Sequence, residues 1–296
     1  NFFKSILKLK KNNLRVIRGS GIDINYFKYY AEKTKNEVRL AYAGRILKDK
    51  GLLCLVEAYK IAKAKNASLS LYIAGTLDVE NPSSFSKKHF NQIINFKDIY
   101  YLGKINNIKK YWQEADIAVL LSKREGLPLS LLEAAAIGRP IISTNVTGSR
   151  EIAINNYNAI NIKPGDLIEC SKAILKLSRN KILRKKYGKN SRKLVEGDMA
   201  LENICYQYYS LYKEMIWLEN IMIIKKKVSI IGLGYVGLPL ATEFAKKYKV
   251  VGYDINIMRI AELKKGIDRT KEITNKKLLT NNNLFFTNDL NYMKNS

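Results

Sequence analysis

The sequence predicts an α/β protein in which a doubly wound parallel sheet is followed by a second, partial βαβ segment. Three observations support this prediction. Short apolar runs alternate with helical patterns from Val38 to about Asp166, three more helical patterns follow, and the alternation restarts near Lys225 with a glycine cluster. We therefore predict two domains, residues 1–220 and residues 221–296.

The first alternating region supplies the strands and helices of the predicted sheet. Six short apolar runs have the length of buried parallel strands: Arg39–Ala43, Ser70–Ala74, Ile99–Leu102, Ile117–Leu121, Pro140–Thr144 and Ala159–Ile162. Five segments with apolar residues near a 3.6-residue spacing separate them: Gly51–Lys65, Ser83–Ile94, Ile108–Glu114, Leu129–Ile137 and Arg150–Ile154. This alternation places helices on both faces of one sheet.

Three helical patterns without intervening strands come next, at Leu167–Ser178, Lys181–Val195 and Ala200–Trp217. We expect them to close the first domain. The basic residues Lys225–Lys227 then lead into a new apolar run. Met222, just before them, has the character of the first residue of a separate protein, which leaves open whether the two segments are a real fusion or two adjacent coding regions.

Charge limits the classes of partner. The 296 residues include 52 Lys and Arg against 26 Asp and Glu, so the formal net charge of +26 favours an anionic partner. No pattern typical of a nucleic-acid-binding fold accompanies this charge, and we predict that nucleic acid is not the partner. A diphosphate-bearing substrate or an anionic membrane surface accounts for the charge instead.

The cysteines and the single histidine predict neither a disulfide framework nor a zinc site. Cys54, Cys170 and Cys205 are far apart, and His89 has no neighbouring Cys or His. No run reaches the roughly 18 to 20 apolar residues of a membrane helix, and no secretory signal pattern opens the chain. We expect a cytoplasmic protein, soluble or peripheral to the inner face of the membrane, and any metal site would need carboxylate ligands.

Cations and a helix start come together at the carboxyl edge of the predicted sheet, where such sheets bind ligands. Arg45 follows the first strand directly, and Lys50 opens the next helix. After the strand ending at Leu121, a loop leads to Pro128, which suits the first position of a helix. The exposed N–H groups at that helix start attract an anion, so we predict a diphosphate site here.

Two carboxylates belong to the same region. Glu125 lies in the loop before the helix, and Glu133 lies eight positions later, about a turn and a half into it. One carboxylate can therefore reach a ribose while the other reaches a sugar. Taken alone, the pair is also compatible with two solvated surface glutamates.

Six segments of the first domain form a spaced set of motifs: Gly21–Asp23 with Phe27, Gly44–Ile46, Asp49–Gly51, Glu125–Ala134, Gly138–Ile142 and Gly148–Glu151. This set resembles the donor-site signature of glycosyltransferase family 4, whose members have the two-Rossmann-domain GT-B fold. The resemblance covers about Arg15 to Trp217. It implies that the first domain is one Rossmann-like half of a GT-B fold, the nucleotide-sugar-binding half.

The resemblance also implies a role for each site residue. Arg45 and Lys50 would hold the donor diphosphate and offset the charge that grows on the leaving group. Glu125 would contact the transferred sugar as a third catalytic residue, and Glu133 would bind the ribose. The rest of the substrate-binding loop would consist of Gly126, Leu127 and Pro128. Enzymes of this family retain the anomeric configuration and have no obligatory metal.

The resemblance further suggests the reaction. Thr144–Glu151 is similar to a version found in transferases of N-acetylated hexoses, which implies a UDP-sugar donor and a lipid-linked or saccharide acceptor in surface polysaccharide synthesis. Only residues 1 to about 14 could belong to the family's acceptor domain, so we expect the isolated chain to be incomplete for transfer. This basic opening is either a remnant that faces a membrane-bound acceptor or the edge of that domain.

A glycine-rich turn follows the apolar run Val228–Ile231. Three glycines there have the spacing G-x-G-x-x-G: Gly232, Gly234 and Gly237. A helix is expected through about Lys247, and the next strand, Lys249–Tyr253, ends in Asp254. This order predicts a dinucleotide-binding βαβ unit, and the Asp254 carboxylate favours NAD over NADP.

Three segments around this turn are Leu233–Ala241, Tyr253–Asn256 with Arg259, and Gly266–Thr270. They resemble the start of the UDP-glucose/GDP-mannose dehydrogenase family, in particular its UDP-N-acetylhexosamine 6-dehydrogenase branch. The resemblance implies NAD as cofactor and Arg259 among the cofactor-binding residues. The family's nucleophilic cysteine has no counterpart in this region, so we expect no dehydrogenase activity.

Two alternatives to a transferase remain at this point. The chain could represent an NAD-dependent nucleotide-sugar 6-dehydrogenase fragment, or a fusion that binds nucleotides without catalysing either reaction.

Overall fold

The structure is a computed structural model that describes residues 16–293, except for 18, 20, 34–35, 67, 79, 222–226, 271–272, 276–277 and 279–280. The chain divides into two compact units, one of residues 17–209 and one that includes residues 210–293. The predictions made for residues 1–14 and for Met222 fall outside the described residues. The domain boundary at 220/221 stays a prediction.

The first unit is built on a parallel sheet of six strands: β1 (Val38–Ala43), β2 (Leu69–Ala74), β3 (Ile99–Gly103), β4 (Ile117–Leu120), β5 (Ile141–Thr144) and β6 (Ala159–Ile162). Each agrees with a predicted apolar run to within one residue at either end. The strand order is β3-β2-β1-β4-β5-β6, so the winding reverses between β1 and β4. This confirms the doubly wound prediction, and the reversal lies at the place where such sheets bind ligands.

Between residue 38 and residue 221, the described residues form eight helices: α1 (Leu52–Lys65), α2 (Lys87–Ile94), α3 (Ile108–Glu114), α4 (Leu129–Ile137), α5 (Thr147–Arg150), α6 (Leu167–Arg179), α7 (Lys181–Glu196) and α8 (Leu201–Ile221). A 3-10 turn, Lys48–Lys50, precedes α1. The division between the two units falls within α8. Among the described residues, no helix combines the length and the apolar character that crossing a bilayer requires.

Two predicted helices were misplaced. The helix expected from Ser83 begins only at Lys87, because the Ser86 side chain accepts the backbone N–H of His89 and caps the first turn. The helix expected at Arg150–Ile154 is instead the single turn α5, which ends at Arg150. The side chain of Asn158 explains this: its oxygen accepts the N–H of Ile154 at 2.8 Å, and its amide nitrogen donates to the carbonyl of Ile152 at 2.8 Å.

The second unit contains a smaller parallel sheet in the order β7-β8-β9. Its elements are β7 (Lys227–Ile231), α9 (Gly237–Phe244), β8 (Lys249–Tyr253), α10 (Ile257–Lys264) and β9 (Leu284–Thr287), followed by a 3-10 turn at Leu290–Met293. The helix expected through Lys247 ends at Phe244. The backbone N–H groups of Lys246 and Lys247 donate to the carbonyl oxygens three residues earlier, rather than four, and this tightens the last turn. The predicted strand–glycine turn–helix–strand order is confirmed.

Two arginines of α7, the buried Arg184 and the partly buried Arg192, bind the segment before β1. Arg184 Nη2 lies 2.6 Å from Glu32 Oε1, and the two side chains are only 6% and 9% exposed. Arg192 Nη1 donates to the carbonyl oxygen of Phe27 at 2.6 Å and to that of Ala136 at 2.9 Å. The segment around residues 24–32 is therefore held in place by the inner face of α7.

Glu32→Gln should lower the free energy of unfolding of the first unit by about 3 kcal/mol, because the buried Arg184 guanidinium loses its counter-charge. Urea unfolding followed by tryptophan fluorescence measures this. The matched control is Glu57→Gln, which breaks the half-exposed Lys60–Glu57 pair at 2.7 Å and should cost less than about 1 kcal/mol. If the two variants lost equal free energy of unfolding, the buried pair would contribute no more to stability than the Lys60–Glu57 pair.

Candidate functional site

The loops after β1 and β4 meet at the carboxyl edge of the six-stranded sheet. The backbone N–H of Lys123 donates to the carbonyl of Asp49 at 2.8 Å and joins the two loops. A Cβ at Gly51 would lie 2.1 Å from the carbonyl oxygen of Leu121, and Gly51 has a φ of +73°. Only glycine fits this position, and it brings Lys50 against the end of β4.

Lys50 and Glu125 are in direct contact. Lys50 Nζ lies 2.6 Å from Glu125 Oε1, and their side chains are 22% and 10% exposed. A pair at this distance and this degree of burial is held more firmly than a surface ion pair. The structure thus brings together two of the three residues predicted to be catalytic.

Tyr42, at the end of β1, is hydrogen-bonded to the backbone of Arg45. Its hydroxyl donates to the carbonyl oxygen of Arg45 at 2.8 Å and fixes the turn after the strand. Burial raises the pKa of Tyr42, and the negative charge of Glu125 adds to this while Arg45 opposes it. The buried hydroxyl therefore stays protonated and donates to the turn that carries Arg45.

Arg45 and Glu133 line the same open cleft, which has a volume of about 500 Å³. Thr76 and Lys104, from the loops after β2 and β3, line it as well. Arg45 makes only a loose contact with Asp78, at 3.9 Å between Nη1 and Oδ2, so its guanidinium remains largely solvated. Lys50 and Glu125 are not among the cleft's lining residues.

Glu133 projects from α4 toward this cleft and is half-buried. Trp112 Nε1–H donates to its Oε2 at 3.0 Å. Burial raises the pKa of the Glu133 carboxyl, and the hydrogen bond from Trp112 partly opposes the rise. A carboxylate fixed in this way keeps its other oxygen for a hydroxyl donor.

The loop Gly126–Pro128 leads into α4. Pro128 caps this helix rather than forming its first residue, and its carbonyl accepts the N–H groups of Leu131 and Leu132. A Cβ at Gly148, on α5, would lie 2.0 Å from the carbonyl oxygen of Gly126, so α5 packs directly on the loop. That the loop binds substrate stays a prediction.

The glycine turn of the second unit has the geometry that its spacing predicts. Gly232 has a φ of +87°, and a Cβ at Gly237 would lie 1.7 Å from the Gly232 carbonyl oxygen. A Cβ at Gly234 would have no atom within 4 Å, so the turn is open there. Asp254 Oδ2 accepts the N–H of Leu233 at 2.8 Å, which places the carboxylate beside the turn.

Arg259 lies beneath this turn and is almost fully buried. Its Nε–H donates to the Leu233 carbonyl at 2.9 Å, and its Nη2 lies 2.8 Å from Asp268 Oδ1. Burial raises the pKa of Asp268, but hydrogen bonds from Thr270, Ile273 and Arg259 outweigh it and hold the pKa well below its usual range. Arg259 thus supports the turn from inside, and a direct contact with the cofactor stays a prediction.

Sequence reasoning missed Tyr42 and Trp112. Tyr42 lies in a predicted strand and Trp112 in a predicted helix, and neither was singled out, although a Tyr or Trp that is buried next to polar loops usually makes a hydrogen bond to a polar partner. Among the described residues, no three His, Cys, Asp or Glu side chains form a group that could hold a metal ion. The prediction that no metal is needed remains untested.

Comparison with known proteins identifies both parts of the chain. Residues 4–194 match the family described as glycosyl transferases group 1, and residues 226–296 match the NAD binding domain of the UDP-glucose/GDP-mannose dehydrogenase family. The capsular polysaccharide biosynthesis glycosyltransferase CapM of Staphylococcus aureus is 27% identical over 218 residues, 70% of this chain and 57% of the relative.

Two further relatives are informative. N,N'-diacetylbacillosaminyl-diphospho-undecaprenol alpha-1,3-N-acetylgalactosaminyltransferase of Campylobacter jejuni is 31% identical over 72% of this chain and 58% of its own length. UDP-N-acetyl-D-glucosamine 6-dehydrogenase of Pseudomonas aeruginosa is 58% identical over 64 residues, 22% of this chain and 15% of that enzyme. The chain thus spans little more than half the length of these transferase relatives.

Solved structures have the same fold. A glycosyltransferase from Rickettsia africae aligns with a TM-score of 0.63 at 20% identity, over 73% of this chain and 62% of the other. The Anabaena protein HepE, solved with UDP-glucose, aligns with a TM-score of 0.58 at 17% identity, over 71% and 60%. The chain therefore belongs to the glycosyl transferases group 1 family, and its end carries a segment of the UDP-glucose/GDP-mannose dehydrogenase family.

Proposed function

We propose that the first unit binds a UDP-sugar at the carboxyl edge of its sheet, as the donor site of a retaining glycosyltransferase. The observation that carries the proposal is the Lys50–Glu125 contact of 2.6 Å, at the same edge of the sheet as the cleft that Arg45 and Glu133 share. Two cations and two carboxylates at one edge match a ligand with a diphosphate at its centre and hydroxyl-bearing sugars on either side.

Each residue has a task in the proposed transfer. The bond between the anomeric carbon and the diphosphate oxygen breaks, the acceptor oxygen bonds to the same carbon on the same face, and its proton leaves with the diphosphate. Arg45 and Lys50 stabilise the charge that the diphosphate gains. Glu125 holds hydroxyls of the transferred sugar, and Glu133 accepts a hydrogen bond from the ribose.

The relatives suggest the donor and acceptor. HepE was solved with UDP-glucose, which favours a UDP-sugar here. The Campylobacter relative is named for transferring N-acetylgalactosamine to a diphospho-undecaprenol-linked sugar, and the Staphylococcus relative for capsular polysaccharide biosynthesis. We propose a hexose or N-acetylhexosamine donor and a lipid-linked or saccharide acceptor in surface polysaccharide synthesis.

The second unit is proposed to bind NAD. The positive φ of Gly232, the close contact of Gly237 with the Gly232 carbonyl and the position of Asp254 support this. The pyrophosphate would approach the open Gly234, and Asp254 would accept hydrogen bonds from the adenine ribose. This is a binding function, independent of the transfer reaction.

Lys50→Ala should weaken UDP binding by about 10- to 100-fold, because a charge-assisted hydrogen bond to phosphate contributes about 1.5 to 3 kcal/mol. Glu133→Ala should weaken it by about tenfold through loss of the ribose contact. Calorimetric titration with UDP, GDP and ADP measures both effects and the base preference. Unchanged UDP affinity in both variants would remove the assignment.

Glu125→Gln separates the sugar contact from the diphosphate contact. It should keep or raise the affinity for UDP, because Lys50 Nζ loses a competing carboxylate. It should also reduce the extra affinity of UDP-N-acetylglucosamine over UDP. The control variants Lys60→Ala and Glu57→Ala, which break a half-exposed ion pair on α1, should change neither affinity by more than about twofold.

Glu133→Gln should raise the thermal midpoint at neutral pH. Because burial raises the pKa of this carboxyl, the folded state binds the proton more tightly, and the stability that protonation provides is lost as the pH rises through the raised pKa. Glutamine stays neutral and still accepts from Trp112. The gain should shrink as the pH falls toward the ordinary carboxyl range, and a gain that is independent of pH would contradict the explanation.

Asp254→Asn should weaken NAD binding by about tenfold and reduce the preference for NAD over NADP, because the 2′-phosphate is no longer repelled. Titration with both dinucleotides measures this. Asp289→Asn, in the same unit, is the matched control and should have no effect. Equal affinity of the unmodified chain for NAD and NADP would reject the assigned role of Asp254.

A further inference from the structure

The outward face of α7 is strongly cationic. Four of its exposed residues are lysines that share one side of the helix: Lys185, Lys186, Lys189 and Lys193. None of the four makes an ion pair with any residue that the structure describes. The opposite side of the helix, with Arg184 and Arg192, faces the core.

A second group of cations lies on α6, which ends just before α7 begins. The exposed cations of α6 are Lys172, Lys176 and Arg179, and the exposed acid Glu169 lies one turn before Lys172. The two helices meet at an open cleft of about 590 Å³, lined by Leu175, Lys176, Arg179, Asn180, Lys181 and Ile182. We call the four lysines of α7 and the two cations of α6 at this cleft, Lys176 and Arg179, the cationic face.

The cationic face lies away from the donor site. Gly188 of α7 packs on the carbonyl oxygen of Gly138, and Ser191 accepts a hydrogen bond from Asn158 at 3.1 Å. Gly138 and Asn158 directly precede β5 and β6, so α7 crosses the amino edge of the sheet. The donor cleft is at the carboxyl edge, and the charges on α7 have no part in binding the donor.

Apolar side chains accompany the charges. Ile182, at the cleft, is 83% exposed, and Ile168, near the start of α6, is 53% exposed. Lysines beside exposed aliphatic side chains suit a bilayer surface, where the ammonium groups meet phosphates and the aliphatic groups enter the headgroup region. Tyr187, the aromatic residue of α7, is buried, so the face offers no platform for stacked bases.

We propose that the cationic face binds the surface of a membrane that contains anionic phospholipid, with Ile182 inserted among the headgroups. Each cation near such a surface strengthens binding by about fivefold, so four lysines on one helix make a substantial contribution. The attraction acts within about 10 Å in ordinary salt, which requires the helix to lie on the surface.

The test uses the full chain and phosphatidylcholine vesicles with and without phosphatidylglycerol, separated by flotation. Binding should require the anionic lipid and weaken with salt. The variant K185Q/K186Q/K189Q/K193Q should bind at least about 100-fold more weakly. A control variant, K87Q/K88Q/K97Q/K110Q, removes the same charge from exposed positions outside the face and should lose less than about fivefold.

Ile182→Ser distinguishes a bilayer from a soluble polyanion. It should weaken vesicle binding by about tenfold and leave any binding of a DNA duplex unchanged. Equal binding to neutral vesicles, equal losses in the two lysine variants, or binding of the duplex but not the vesicles through these lysines would each overturn the proposal. UDP affinity should stay the same in every variant, so failure here is distinguishable from failure of the donor-site assignment.

Discussion

The carbonyl oxygen of Leu121 occupies the space that a side chain at Gly51 would need, and the arrangement of the donor site depends on this contact. Because the backbones of the two loops touch, Lys50 and Glu125 come within 2.6 Å although 75 residues separate them. In the same way, the carbonyl oxygen of Gly126 occupies the space that a side chain at Gly148 would need. Backbone packing of glycines, rather than attraction between charges, therefore sets the geometry in which the charges act.

The charged side chains at this edge differ in the partners that they already have within the protein. Lys50 is paired with Glu125, and Glu133 is steadied by Trp112 rather than by a cation. Among the residues that the structure describes, the carboxylate that pairs with Arg45 is that of Asp78, at 3.9 Å. An incoming diphosphate would thus meet one solvated guanidinium and one ammonium that already has a carboxylate partner. On binding, Arg45 would lose mainly water, whereas Lys50 would lose part of its contact with Glu125.

The sequence was sufficient to predict the strands of the sheet but not to predict several contacts between side chains. Buried parallel strands are nearly continuous apolar runs, so all six strands of the first unit and the order of elements around the glycine turn could be predicted. The Lys50–Glu125 contact could not, because it depends on how two distant loops pack. The position of α5 depends on the side chain of Asn158, and the buried place of Arg259 depends on its pairing with Asp268. Such effects belong to tertiary structure and leave no periodic signal in the chain.

Helix α7 carries positive charge on both sides, and the two sides tolerate different changes. Arg184 uses its planar fork to reach Glu32 and the carbonyl oxygens of Leu177 and Ser178 at once, which a single ammonium cannot do. The outer lysines face solvent and need only their charge. Lysine and arginine can therefore replace each other at the outer positions of α7. At position 184 only arginine can make hydrogen bonds of this number and direction.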